Sequence, residues 1–216
     1  VALSHGAAVI FFPTYAARHN LLGKAFGGAL ATYPRPKRAP GGRGDYRGIV
    51  ILDGRGALKP EVGEILDLLA AYDGILATGH LSPHESLALL KAAKARGVRR
   101  MVVTHASSEI TLMSVAEQQE AVSCGAFIEH CLLGLVSGGQ EALETLQSQI
   151  RQVGVKHVIL SSDFGQATNG PPVPAFARYL GEMRRAGFDE DEIRQMIVEN
   201  PRTLLEGRKL GLSTLC

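Results

Sequence analysis

Three apolar runs in this chain each end in a side chain able to bind a metal ion. Gly74-Ile75-Leu76-Ala77-Thr78-Gly79 leads to His80, Arg100-Met101-Val102-Val103-Thr104 to His105, and His157-Val158-Ile159-Leu160-Ser161-Ser162 to Asp163. Two imidazoles and a carboxylate are donors for a divalent transition metal, and the carboxylate can also accept a proton from an activated water. The three lie far apart in sequence, so no local motif unites them. A parallel α/β barrel would, because all its strand C-termini meet at one face, where active sites sit. Each residue also has a plainer reading: a strand-end His bonded to backbone, or an Asp closing an Asx turn.

The elements between these strands suit that arrangement. Ser82-Pro83-His84-Glu85 is a capping box, which makes Glu85 a helix cap and points His84 to solvent. The helix it starts runs through Leu87, Leu90 and Ala93 and stops at Gly97. Further helices are expected over 60–70, from about Ser108 to Ser123, from Gly138-Gly139 to Gly154, and after the Pro/Gly-rich stretch Asn169 to Pro174. Asp189 with Glu192 forms a second N-cap pair, and Asn200-Pro201 marks a last helix start. Short strands are expected near Val9, Leu76, Val102, Ile128 and Ile159, with a small hairpin or added strand over Gly48 to Leu52.

Strands alternating with helices predict a parallel sheet with helical crossovers. Five strands are too few for a closed barrel of eight, so the pattern reads as the last five units, strands four to eight, of a partial (β/α)8 TIM barrel. The alternative is a doubly wound sheet with its crevice at a switch point, although no Gly-rich phosphate fingerprint follows any strand. The partial-barrel reading takes 1–216 as one N-terminally incomplete domain, with open edges at the Val9 and Ile159 strands.

Composition bounds the partners. The chain has 216 residues, 45% hydrophobic and 20% charged, enough for a sizeable core. A net charge of +2 argues against nucleic acid as a partner, and no apolar run approaches the roughly 20 residues of a membrane span. A small-molecule substrate is expected, and a homo-oligomer is compatible. The Cys residues lack zinc-ribbon or redox spacing, which suits a reducing cytoplasm. Cys124 and Cys131 flank a strand and should lie roughly 20 Å apart, too far to bridge.

The segments Ala77-Thr78-Gly79-His80-Leu81-Ser82, Val102-Val103-Thr104-His105, Ser161-Ser162-Asp163-Phe164-Gly165-Gln166 and Glu199-Asn200-Pro201-Arg202-Thr203-Leu204-Leu205 resemble the amidohydrolase superfamily of metal-dependent hydrolases, in an uncharacterised branch of it. The similarity runs from about Ser4 to Gly207. It implies His ligands on strands five and six and an Asp on strand eight, which fall on His80, His105 and Asp163. It further implies a divalent cofactor, zinc first and manganese or iron as alternatives, and hydrolysis of an amide or cyclic amide through a metal-activated water. Asp163 would be both ligand and general base. A related phosphoesterase or nuclease, or a non-catalytic remnant barrel, is the alternative. The chain departs from the family in two ways: no His-x-His pair occurs, and the fourth strand ends Phe12-Pro13-Thr14, without a bridging Lys or Glu. The first departure is attributed to strands one to three lying upstream of Val1. Of the other histidines, His130 is expected to contact substrate from the end of the seventh strand, with at most one of Glu129 and His130 at the barrel mouth. His19 follows the fourth strand on the same face. His5 and His157 sit at the opposite strand ends. A basic loop holding Arg35, Lys37, Arg38, Arg43 and Arg47 could cover the pocket or simply be solvated.

Overall fold

In a computed structural model of the chain, residues 1–22, 48–108, 110–135, 139–166 and 169–206 are described. The basic loop over 33–47 lies outside them. Five strands, β1 (Val9–Phe11), β2 (Ile75–Ala77), β3 (Arg100–Val103), β4 (Ala126–Cys131) and β5 (Val158–Ser161), form one sheet in sequential order. Every neighbouring pair is parallel. Sequential order has no point at which the winding reverses, so the doubly wound alternative and its switch-point crevice are excluded for this sheet. Right-handed crossovers that always step to the next strand are how a barrel is built. Among the described residues, β1 and β5 are the outermost strands.

Helices α1 (Arg18–Leu22), α2 (Pro60–Ala71), α3 (Pro83–Ala95), α4 (Val115–Ser123) and α5 (Gly139–Val153) fill the crossovers, and α6 (Pro172–Arg185), α7 (Glu190–Arg194) and α8 (Asn200–Leu205) follow β5. The expected capping boxes form at Ser82/Glu85 and Asp189/Glu192, and a third forms at Ser114/Glu117. The third corrects the expected helix start: α4 begins at Val115, not near Ser108, because the Ser114 side chain accepts from the Glu117 amide and stops the helix there. Residues 52–58 form the expected small hairpin in minimal form, one antiparallel bridge from Leu52 to Leu58 around the Asp53–Gly56 turn, and Ile49 makes a single parallel bridge to Ala17. No helix among the described residues is long and apolar enough to cross a membrane.

Strand alternation divides the core in two. Leu76, Met101, Val103, Ala126, Ile128, Val158 and Leu160 pack with Leu66, Leu69, Leu90, Leu146 and Tyr179 of the helices. Their alternates Ile75, Ala77, Val102 and Ile159 form a second cluster on the other face, joined by Leu204 of α8. At about 25 cal/mol per Å² of apolar surface, each of the many fully buried side chains contributes roughly 1.5–3 kcal/mol. Two-sided burial is why the strands read as continuous apolar runs.

Helix α8, the last among the described residues, is pinned under this second face. Asn200 is 2% exposed, and its Nδ2 donates to the carbonyls of Val155 (2.8 Å) and Val158 (2.6 Å) while its Oδ1 accepts from Gln195 (2.7 Å). Pro201 follows it, and a π-helical turn over Gln195–Glu199 precedes it, which lets the chain pass a residue lacking an N–H. Arg100, paired with Asp73 at 3.1 Å, donates to the Leu204 carbonyl at 3.1 Å and to the Glu206 carbonyl. Asn200→Ala is expected to cost about 2–3 kcal/mol, because it leaves buried carbonyls without donors. Chemical denaturation checks this, and a midpoint within error of wild type would remove the clamp.

Candidate metal centre and active site

His80 leaves β2 through Gly79, whose φ of 65° is left-handed. A Cβ at Gly79 would lie 2.3 Å from the Phe12 carbonyl oxygen and 2.7 Å from that of Pro13, so only glycine lets β2 approach the end of β1 this closely. The His80 amide donates to the Pro13 carbonyl at 2.9 Å. The Thr104 hydroxyl donates to the Gly79 carbonyl at 2.9 Å, and the Thr104 amide to the Thr78 hydroxyl at 3.1 Å, locking the ends of β2 and β3 together. The His80 ring is 5% exposed, with Nδ1 3.1 Å from Asn20 Oδ1. A carbonyl oxygen only accepts, so Nδ1 carries the proton and Nε2 keeps its lone pair. Burial lowers the pKa to about 4, helped by the nearby charges of His105 and His19, so the imidazole is neutral, as a metal ligand must be.

His105 and Asp163 end their strands in left-handed backbone, with φ of 56° and 51°. Such angles are uncommon outside glycine and turn each side chain away from the path a strand would give it. The His105 turn is held at its carbonyl, which accepts from Ser108 Oγ at 2.9 Å and from Thr111 Oγ1. The rings of His80 and His105 meet edge to face, centroids 5.1 Å apart, and His105 Nδ1 lies 4.0 Å from Asp163 Oδ2. Burial raises the pKa of Asp163, against the lowering effect of His105. The structure thus brings His80, His105 and Asp163 together at one end of the sheet.

β4, in the place of the expected seventh barrel strand, contributes differently from expectation. His130, expected at the substrate, is fully buried in register with Leu160 on the helix-covered face, and its Nδ1 lies 2.9 Å from Ser107 Oγ. Burial lowers its pKa to about 3. Alternation instead sends Glu129 and Cys131 toward the site. A nitrogen of His105, a carboxylate oxygen of Glu129 and the sulfur of Cys131 lie within 4.8 Å of one another. Cys131 Sγ is 3.1 Å from His105 Nδ1 and 3.1 Å from Ser161 Oγ. Burial, then the charge of Glu129, push the thiol well above its usual range. Imidazole, carboxylate and sulfur are donors that zinc and its neighbours accept, so the residues present fit a divalent transition metal. The sequence signal for Cys131 is its i, i+2 spacing from Glu129, which puts both on one side of β4. Nothing in the sequence marks Asn20, or Tyr15, whose ring centroid lies 5.4 Å from that of His80. Cys124 and Cys131 are both free. Glu85 is a cap, as expected, and its Oε1 also accepts from the Ile51 amide at 3.2 Å. His5, His84 and His157 are exposed, in the first turn of the chain, on α3, and at the start of β5.

A family of unknown function (DUF6282) matches residues 1–129. The chain belongs to this family. The DUF6282 match spans β1 to most of β4 and so includes His80, His105 and Glu129. No curated protein matches the chain in sequence. Among solved structures, this DUF6282 chain is similar to the organophosphorus hydrolase from Deinococcus radiodurans, with a TM-score of 0.53 and 18% identity over 69% of this chain and 52% of that one. It also aligns with a 2-pyrone-4,6-dicarboxylic acid hydrolase from Pseudomonas putida, with a TM-score of 0.49 and 10% identity over 68% and 59% of the two chains. The first likeness shows a shared fold, and the DUF6282 chain spans about half the length of that hydrolase.

Proposed function

We propose that this chain carries the ligand and proton-transfer residues of a metal-dependent hydrolase acting on a small molecule. The observation that carries this reading is the meeting of His80, His105 and Asp163 at the C-terminal ends of three parallel strands. A divalent ion held there, zinc first, supplies Lewis acidity and acidifies a water molecule. His80 and His105 hold the ion, or one of them polarises the substrate oxygen. Asn20 fixes the tautomer and orientation of His80. The Asp163 carboxylate takes the proton from the water and passes it to the leaving group.

The amidohydrolase resemblance favours an amide or cyclic amide. The fold likeness to an organophosphorus hydrolase favours a phosphoester as the second reading. Strands one to three, expected upstream, belong to this proposal: a longer chain should hold the ion more tightly than residues 1–216. The test loads a chain extended upstream through those strands with zinc, measures bound metal by elemental analysis, and assays a cyclic amide and an aryl phosphotriester before and after chelation; residues 1–216 alone should bind zinc weakly and without turnover. Bound metal, with turnover of one substrate that is lost on chelation and recovered with zinc, is the expected result. Absence of bound metal, or turnover that survives chelation, would overturn the reading.

A further inference from the structure

We propose that the ion is ligated by the sulfur of Cys131 and the carboxylate of Glu129 together with His105, so that β4 makes this a mixed nitrogen, oxygen and sulfur centre. The inference rests on the metal-centre reading above and adds the class of ion it takes. The donor atoms of these three residues already lie within 4.8 Å of one another. The shortest separation is 3.1 Å, between His105 Nδ1 and Cys131 Sγ. Tetrahedral zinc at about 2.0 Å from nitrogen and 2.3 Å from sulfur would spread such a pair to roughly 3.5 Å. Opening by a few tenths of an ångström is within reach of side-chain rotation, so no strand need move. Glu129 and Cys131 are two apart on one strand, so the pleat delivers both to one side while His130 between them turns away. Asp163, 4.0 Å from the same His105 nitrogen, lies at the edge of this cluster. Ion binding releases the Cys131 thiol proton to solvent, and the sulfur then binds as a thiolate.

Soft donors select among ions. A thiolate favours zinc, cobalt or cadmium over magnesium or manganese, whose preference is for oxygen. A centre built from His80, His105 and Asp163 without sulfur would discriminate less. The plainer account of Cys131 is a buried strand residue that packs and bonds Ser161, and it predicts no contact with the ion.

Cobalt substitution separates the two. The chain loaded with Co²⁺ should show a near-ultraviolet thiolate-to-cobalt charge-transfer band. Cys131→Ser should abolish the band and lower zinc affinity by more than the roughly 10–100-fold that loss of an outer-shell partner costs. Serine can keep the hydrogen bonds to His105 and Ser161, and circular dichroism checks the fold. A Cys124→Ser/Cys216→Ser variant leaves the cluster untouched and makes Cys131 the sole cysteine; it should retain the band, and it decides the matter if Cys131→Ser does not fold. Stoichiometric cobalt without the band would overturn the sulfur ligand while leaving the hydrolase reading standing. A band lost in the double variant would assign it to another cysteine and overturn the proposal. Failure to bind any metal would overturn both.

Discussion

Asp163→Asn should lower turnover by about 10²–10⁴, the usual contribution of general acid–base catalysis, while much of the bound metal remains. Asn keeps the size and one acceptor oxygen of the side chain but cannot take a proton from water. Asp163 reaches the site from β5 through a left-handed turn, φ 51°, and stands 4.0 Å from His105 Nδ1. Asparagine tolerates left-handed backbone as well as aspartate does, so the turn should survive the substitution and the effect should be chemical. The measurement is single-substrate kinetics with metal content determined on the same sample. Turnover within a few-fold of wild type would remove Asp163 from proton transfer and leave it as a turn residue. Equal loss of metal and turnover would make it a ligand alone.

Gly79→Ala should be the most damaging single-atom change in the described fold, costing about 3 kcal/mol or more. Left-handed backbone costs an L-residue about 1–2 kcal/mol. The new methyl would in addition stand 2.3 Å from the Phe12 carbonyl oxygen, which is backbone and cannot rotate away. Relief requires β1 and β2 to part at their C-terminal ends, and His80 is the next residue. The variant should therefore unfold at lower denaturant and bind less metal than wild type. Alanine at Gly97, where a Cβ meets nothing within 4 Å despite a φ of 81°, is the matched control and should cost only the left-handed penalty. Equal effects at the two positions would show that the close approach of β1 to β2 carries no special weight.

The amino-acid sequence by itself determined the order and type of the elements around the site. Apolar runs of strand length, punctuated by Ser82, Asp189 and the helix-ending glycines, are local signals, and they led to five parallel strands with helical crossovers. The same local logic placed His80, His105 and Asp163 at strand ends, and parallel topology then brings strand ends together. The helix expected from Ser108 started late because Ser114, not Ser108, caps its first turn, a choice between two serines that propensity does not make. Tertiary structure alone decided which side of β4 meets the site. Whether Glu129 or His130 turns inward depends on the register of β4 against β5, Glu129 opposite Ile159 and His130 opposite Leu160, and register is set by packing of the whole strand. Asn20 became the partner of His80 across sixty positions of sequence, because α1 follows β1 and β1 is the sheet neighbour of β2. Cys131 shows the same limit. Its sulfur joins His105 because β3 and β4 are neighbours in the sheet, and adjacency between strands is a property of the fold rather than of any residue's own surroundings in the chain.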